Sequence, residues 1–277
     1  MLKRVAEAYR KIRNTCRYLL SNLYDFDPAR DAVAEARLED IDRYALARHR
    51  QVVARVREAY RAYEFHVVYH QLVQYCAADL SSFYLDVLKD RLYCDAAGGP
   101  RRRSAQTVLH RIARDLTLLV APVLPFTADE VWPLLPGASG PVHVAVFPGV
   151  EPPDEAVLAR WSDLLEARAA VTKALEEARA AKRIASSLEA RVELRGPAAV
   201  LAPLRRHDGQ SAVFPGNLAN LFIVSKVSLR EADVLSVAVD RAPGGKCERC
   251  WTYSENVGRQ AAHPGVCERC APVLEAR

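Results

Sequence analysis

The sequence predicts a mainly α chain, in which an antiparallel helical bundle is followed by a small α/β unit and then by a compact knuckle built on four cysteines. Three observations predict it. Apolar residues recur at steps of three and four from Val5 to Leu135, the spacing of one buried helix face. Short β-branched runs set off by glycine and proline come next, and two Cys-x-x-Cys pairs with sixteen residues between them stand near the end. The parts divide at 1–140, 141–243 and 244–277.

The first helix carries Val5, Tyr9, Ile12, Cys16, Leu19 and Leu23 on one stripe, with Arg10, Lys11, Arg13, Asn14 and Arg17 largely off it. Six basic residues against one acidic residue make Met1 to Tyr24 locally basic. Such a run either reads a nucleic-acid backbone or is simply a wet face. Asp25-Phe26-Asp27-Pro28 breaks the helix, and an aspartate there can cap the next one. A second long helix is expected from Leu38 to Tyr63. A third follows through Phe65, Val68, Leu72, Tyr75 and Cys76, with Leu80, Phe83, Val87 and Leu88 behind them. His66 and His70 are four apart but lack the intervening glutamate of a zinc-protease helix, so they are not read as ligands.

After the loop Ala97-Gly98-Gly99-Pro100, Arg101-Arg102-Arg103 lead into a helix through Val108, Ile112, Leu116 and Leu119, which Pro122 and Pro125 end. Thr127 with Glu130 reads as a capping box for a short helix burying Val131, Trp132 and Leu135. Helices joined by short loops make an antiparallel bundle. Proline and glycine then mark a boundary from Pro136 to Pro153, with one alternating piece at Val142 to Phe147. A long helix through Val157, Trp161, Leu164, Val171, Leu175 and Ala178 follows. Strands are expected at Arg191 to Leu194, Leu221 to Val227 and Val234 to Val239, with Pro215-Gly216 as a separator.

The knuckle reads Lys246-Cys247-Glu248-Arg249-Cys250-Trp251-Thr252-Tyr253, then Cys267-Glu268-Arg269-Cys270. Each pair closes a tight turn that points two sulfurs at one ion, so Cys247, Cys250, Cys267 and Cys270 are expected to bind one structural zinc. Four soft ligands leave no position for a reacting water. Lys246, Arg249, Trp251, Tyr253 and Arg269 place cations and flat rings around that turn. Either they grip phosphate and stack an unpaired base, or Trp251 covers the metal and the cations are solvated; spacing alone leaves both open. Cys16, Cys76 and Cys94 lie in apolar patterns and read as small core residues in a reducing compartment.

The chain has 277 residues, half of them hydrophobic and 26% charged, with a net charge of +5. That suits a folded soluble protein with more than one core. No apolar run approaches the roughly 18 residues of a membrane span, and no signal peptide is visible, so a cytoplasmic protein with no membrane partner is expected.

Four stretches resemble the C-terminal third of bacterial isoleucyl-tRNA synthetases: Tyr9 to Thr15, Asp79 to Tyr93, Ala121 to Trp132, and Lys246 to Trp251. The first three are similar to the helical anticodon-binding domain shared by class I synthetases for isoleucine, valine, leucine and methionine. The cysteine knuckle is what points to isoleucine. Lys173 to Arg179 with Ser186 to Ala190 is also similar to the family, except that Ala185 stands where glycine is usual.

The resemblance implies that Arg10, Lys11, Arg13, Asn14, Arg17, Lys246, Arg249, Trp251 and Tyr253 meet the anticodon stem-loop of isoleucine tRNA. Its partners would be that tRNA and the rest of the synthetase chain, in a monomer. ATP and Mg2+ would serve only a catalytic domain outside this sequence, which contains neither a His-Ile-Gly-His nor a Lys-Met-Ser-Lys-Ser motif. Ser225-Lys226-Val227-Ser228 echoes the latter faintly but falls in an expected strand. Two other readings stay open. One is a duplex-DNA-binding module, since formamidopyrimidine-type glycosylases end in a similar finger, although the start Met1-Leu2-Lys3 lacks their N-terminal proline. The other is a free-standing tRNA-binding or scaffolding protein.

Overall fold

The computed structural model describes residues 2–209 and 216–276. The chain divides into two compact units, Met1–Leu92 with Ala97–Leu158, and Tyr93–Ala96 with Ala159–Arg277.

The first unit is the expected helical bundle. Its helices are α1 (Leu2–Ser21), α2 (Pro28–Asp31), α3 (Asp40–Arg61), α4 (Phe65–Gln74), α5 (Leu85–Cys94, whose last residues cluster with the second unit), α6 (Pro100–Val120) and α7 (Pro125–Val131). A π-helical stretch, Tyr75–Tyr84, joins α4 to α5 without a break. The Asp27 carboxylate accepts from the Ala29 amide at 3.0 Å and caps α2. The apolar stripes meet in one core that includes Ile12, Cys16, Leu19, Val56, Leu72, Cys76, Leu88, Leu109, Ile112 and Leu116. On α1 Ile12, Cys16 and Leu19 of the stripe are buried, whereas Val5 is 55% and Tyr9 37% exposed.

A carboxylate is sealed inside this core. Asp42 is 0% exposed, and its carboxylate accepts from Tyr84 Oη at 2.7 Å, from both terminal nitrogens of Arg91 at 2.8 and 3.0 Å, and from Ser104 Oγ at 2.5 Å. Four donors on α5, α6 and the π-helical stretch thus replace the water that the carboxylate gives up, as a buried charge requires.

One expectation in this unit is corrected. Thr127 is not the N-cap of α7: the helix starts at Pro125, Leu124 occupies the cap position, and the Thr127 hydroxyl lies 3.4 Å from Tyr9 Oη. A proline preset for the first helical position outweighs a capping box that begins two residues later. Within the boundary segment, Val142–Val144 make a single 3-10 turn that buries Val142. Its alternating pattern comes with Val144 and Val146 mostly exposed.

The second unit begins along α8 (Glu155–Ala180), whose buried face includes Trp161, Leu164, Val171, Leu175 and Ala178. A three-stranded sheet follows, built from β1 (Ala190–Gly196), β2 (Lys226–Glu231) and β3 (Ser236–Arg241) in the order β2-β1-β3. Central β1 pairs in parallel with β2 (Val192 opposite Val227) and antiparallel with β3 (Val192 opposite Val239). Ala190, Val192 and Leu194 are buried and Arg191 and Arg195 exposed, the period of two that the sequence showed. The parallel pairing is closed by α9 (Ala198–Asp208) and α10 (Asn217–Phe222), and α9 packs against β1 and β2.

The expected strand at Leu221 to Val227 is therefore corrected at its start. Leu221 and Phe222 end α10, Ile223 turns left-handed at φ 56°, and the strand begins at Lys226. A short apolar run does not distinguish a buried helix end from a buried strand. Pro215 lies outside the described residues. Among the described residues, no helix is long and apolar enough to cross a membrane.

Candidate metal centre and nucleic-acid interface

The last part of the second unit is a hairpin with a helix behind it. Strands β4 (Gly245–Lys246) and β5 (Tyr253–Ser254) pair across the first knuckle, and α11 (Cys270–Glu275) starts at the last cysteine. The turn closes through two backbone bonds, from the Trp251 amide to the Cys247 carbonyl and from the Cys247 amide to the Thr252 carbonyl, both 2.9 Å. Gly244 makes this turn possible. It sits at φ 89°, and a Cβ there would stand 2.2 Å from the Ser254 carbonyl oxygen, so only glycine lets the strands close.

All four knuckle cysteines are buried, and their sulfurs lie within 4.8 Å of one another. Cys250 and Cys267 Sγ are 3.6 Å apart, too far for a disulfide at about 2.05 Å, and none of the seven cysteines forms one. Sulfurs 2.3 Å from a tetrahedral centre stand about 3.8 Å apart, so the cluster fits a zinc ion. The Cys267 amide donates to Cys247 Sγ at 3.3 Å, as expected beside a thiolate.

Hydrogen bonds from Cys267 and Cys270 push the Cys250 thiol down. The same bonds to Cys250 hold the other two up, Cys270 to about 12. On their own these sulfurs cannot all ionise together. A divalent ion supplies the charge that lets them, which makes metal binding part of the folding of this segment.

Several supporting residues carried no signal in the sequence. The Ser225 hydroxyl, just before β2, donates to the Leu188 carbonyl and accepts from the Tyr253 amide at 2.7 Å, tying the sheet to the knuckle. Ser254 Oγ donates to Glu268 at 2.8 Å and so links the two halves of the knuckle. Buried small hydroxyls of this kind have no periodicity to betray them. Cys16 and Cys76 lie in the bundle core, while Cys94 is buried in the same apolar cluster as the four knuckle cysteines.

Around the turn the structure sorts the candidate RNA contacts. Trp251 has a left-handed backbone, φ 65°, and is 59% exposed, so the indole does not cover the sulfurs. Lys246 is exposed, and its Nζ lies 5.3 Å from the indole centroid, over the ring. Tyr253 is half-buried on β5. Arg249 is also half-buried, and its guanidinium donates to the carbonyls of Tyr93 and Cys94 and to Cys270 Sγ. In the first unit Arg10, Lys11, Arg13, Asn14 and Arg17 are all exposed along α1. Their side chains make no hydrogen bond or ion pair among the described residues.

Residues 42–194 match the family described as the anticodon-binding domain of tRNA ligase. The chain belongs to that family. Residues 244–273 match a zinc finger found in FPG and IleRS, a description that alone does not separate a DNA glycosylase from a synthetase. The match over 42–194 does separate them, since it places the finger after a tRNA-ligase domain.

The whole chain is similar to isoleucine--tRNA ligases. It is 48% identical over 293 residues to that of Syntrophotalea carbinolica, which covers 100% of this chain and 31% of the relative. Identity is 43% over 289 residues to that of Geobacter sulfurreducens (99% and 30%), and 45% over 282 residues to isoleucine--tRNA ligase 2 of Burkholderia mallei (100% and 28%). The chain thus spans about a third of the length of the curated relatives it matches. The finger match and the four gathered sulfurs together support a structural zinc in this member of the family.

Proposed function

We propose that this chain is the part of an isoleucine--tRNA ligase that recognises the anticodon stem-loop of isoleucine tRNA. In this reading residues 1–140 form the helical anticodon-binding part, 141–243 a linking α/β part and 244–277 the zinc-bound reader. ATP and Mg2+ act in a catalytic domain outside this sequence, in a cytoplasmic monomer.

The observation that carries the reading is the exposed indole of Trp251, held on a metal-closed turn with the Lys246 ammonium over it. A flat ring fixed outward beside a cation suits an unpaired base and its phosphate, and a stacked base contributes about 1–3 kcal/mol. Tyr253 flanks it on β5. The exposed cations Arg10, Lys11, Arg13 and Arg17 of α1, with the neutral Asn14 beside them, are the proposed grip on the stem backbone, because their side chains have no hydrogen-bond or ion-pair partner among the described residues.

The test is a salt titration of binding to a synthetic stem-loop carrying an isoleucine anticodon. The expected result is a linear fall of log K with log salt and a preference over a valine stem-loop. Equal affinity for both loops, or stronger binding to duplex DNA, defeats the reading.

A further inference from the structure

Arg249 is a cation of the knuckle turn whose charge is turned inward. Its guanidinium donates through Nη1 to the Cys94 carbonyl and to Cys270 Sγ at 3.5 Å, and through Nη2 to the Tyr93 carbonyl at 3.5 Å. Cys94 answers it, since its thiol donates to the Arg249 carbonyl at 3.9 Å. Residues 93–96 cluster with the zinc-bearing unit. The two carbonyls belong to the last turn of α5, where helix geometry leaves carbonyls without intrahelical donors and concentrates partial negative charge. A tetrathiolate zinc centre is also net negative. The arginine therefore lies between two negative groups, and its planar fork reaches both at once.

We propose that Arg249 is a positioning residue, a clasp that ties the Cys270 thiolate to the C-terminal carbonyls of α5 and fixes the turn that presents Trp251 two residues on. Its guanidinium is turned to these acceptors, and in this reading it supplies no phosphate contact of its own. Outer partners of metal ligands orient and stabilise them, and losing one typically costs about 10–100-fold in metal affinity. Lysine cannot replace it, because a point charge on a flexible stem does not hold three acceptors in fixed directions.

The experiment compares the chain with Arg249→Lys and Arg249→Gln in two measurements. Zinc transfer to a chromophoric chelator should quicken at least about 10-fold in both variants, the lysine variant included. The slope of log K against log salt for the stem-loop should stay that of the unaltered chain. The clasp is overturned if zinc release is unchanged in the variants. It is equally overturned if Arg249→Lys behaves as the unaltered chain while Arg249→Gln lowers the slope by about 0.7–0.9, the signature of one lost phosphate contact.

Recovery of Arg249→Gln without metal counts as accelerated release, and Cys94→Ala then supplies the milder case. It leaves the arginine charge in place and should quicken release about twofold, the worth of a weak S–H donor. The inference rests on the zinc assignment, and only the salt slope touches the proposed function. If the stem-loop is not bound at all, the zinc measurement alone still decides the clasp.

Discussion

The helical bundle and the cysteine knuckle are held together by opposite means. The bundle hides a continuous apolar core and tolerates the buried Asp42 carboxylate because four donors surround it. The knuckle has little to hide: apart from cysteines, its buried cluster contains only Val266 and Ala271, with Val257 and Leu274 packed against it. Its order must come from the metal. A segment that owes its shape to an ion can expose its largest side chain without unfolding, whereas a helix that owes its shape to burial cannot. That difference explains why Trp132 and Trp161 are inside and Trp251 is outside.

The sharpest way to break the comparison is to remove one sulfur. In Cys250→Ser the bound zinc should be lost and residues 244–277 should melt, since apparent zinc free energies in such units are about 10–16 kcal/mol near neutral pH. Helical circular dichroism should hardly change. One zinc per chain retained in the variant would refute the ligand assignment. The converse cut is Asp42→Ala, which strands the buried Arg91 guanidinium and should cost the bundle about 3–5 kcal/mol. A lower urea midpoint with zinc content unchanged is the expected outcome; loss of zinc in this variant would mean that the two regions do not stand separately.

The same contrast governs what could be read from the chain before its structure. Repeating features were legible: the stripe Ile12, Cys16 and Leu19, the alternation on β1, and the doubled Cys-x-x-Cys all repeat at a period set by geometry. What escaped was carried by single residues meeting across long separations. Nothing near Ser225 announces that it bridges Leu188 and Tyr253, and nothing near Asp42 announces Arg91. Spacing also left open whether Trp251 lies over the metal or away from it. The answer depends on one positive φ, and no pattern of neighbours fixes a positive φ in a residue other than glycine.

A milder perturbation tests the turn itself. Gly244→Ala puts a methyl group where the Ser254 carbonyl lies and asks alanine to hold φ 89°, so β4 and β5 must part at a cost of about 1–3 kcal/mol. Zinc should remain bound but leave faster for a chelator. Gly98→Ala is the control, because a Cβ there meets nothing within 4 Å. Equal zinc release in the two variants would show that the hairpin does not hold the first two sulfurs.

The smallest change should touch only recognition. Trp251→Phe keeps a flat ring at the tip and should bind the stem-loop nearly as the unaltered chain does. Trp251→Asn keeps a residue that accepts a left-handed backbone but has no ring, and it should lose about 1–3 kcal/mol of affinity with zinc release unchanged. The pair separates two reasons for an indole at this position. If both variants bind normally, the exposed ring is not the reader. If both weaken equally, the contact depends on the indole N–H or its larger face and not on stacking in general. Only a loss confined to Trp251→Asn fits a base lying on a flat ring that the metal holds in place.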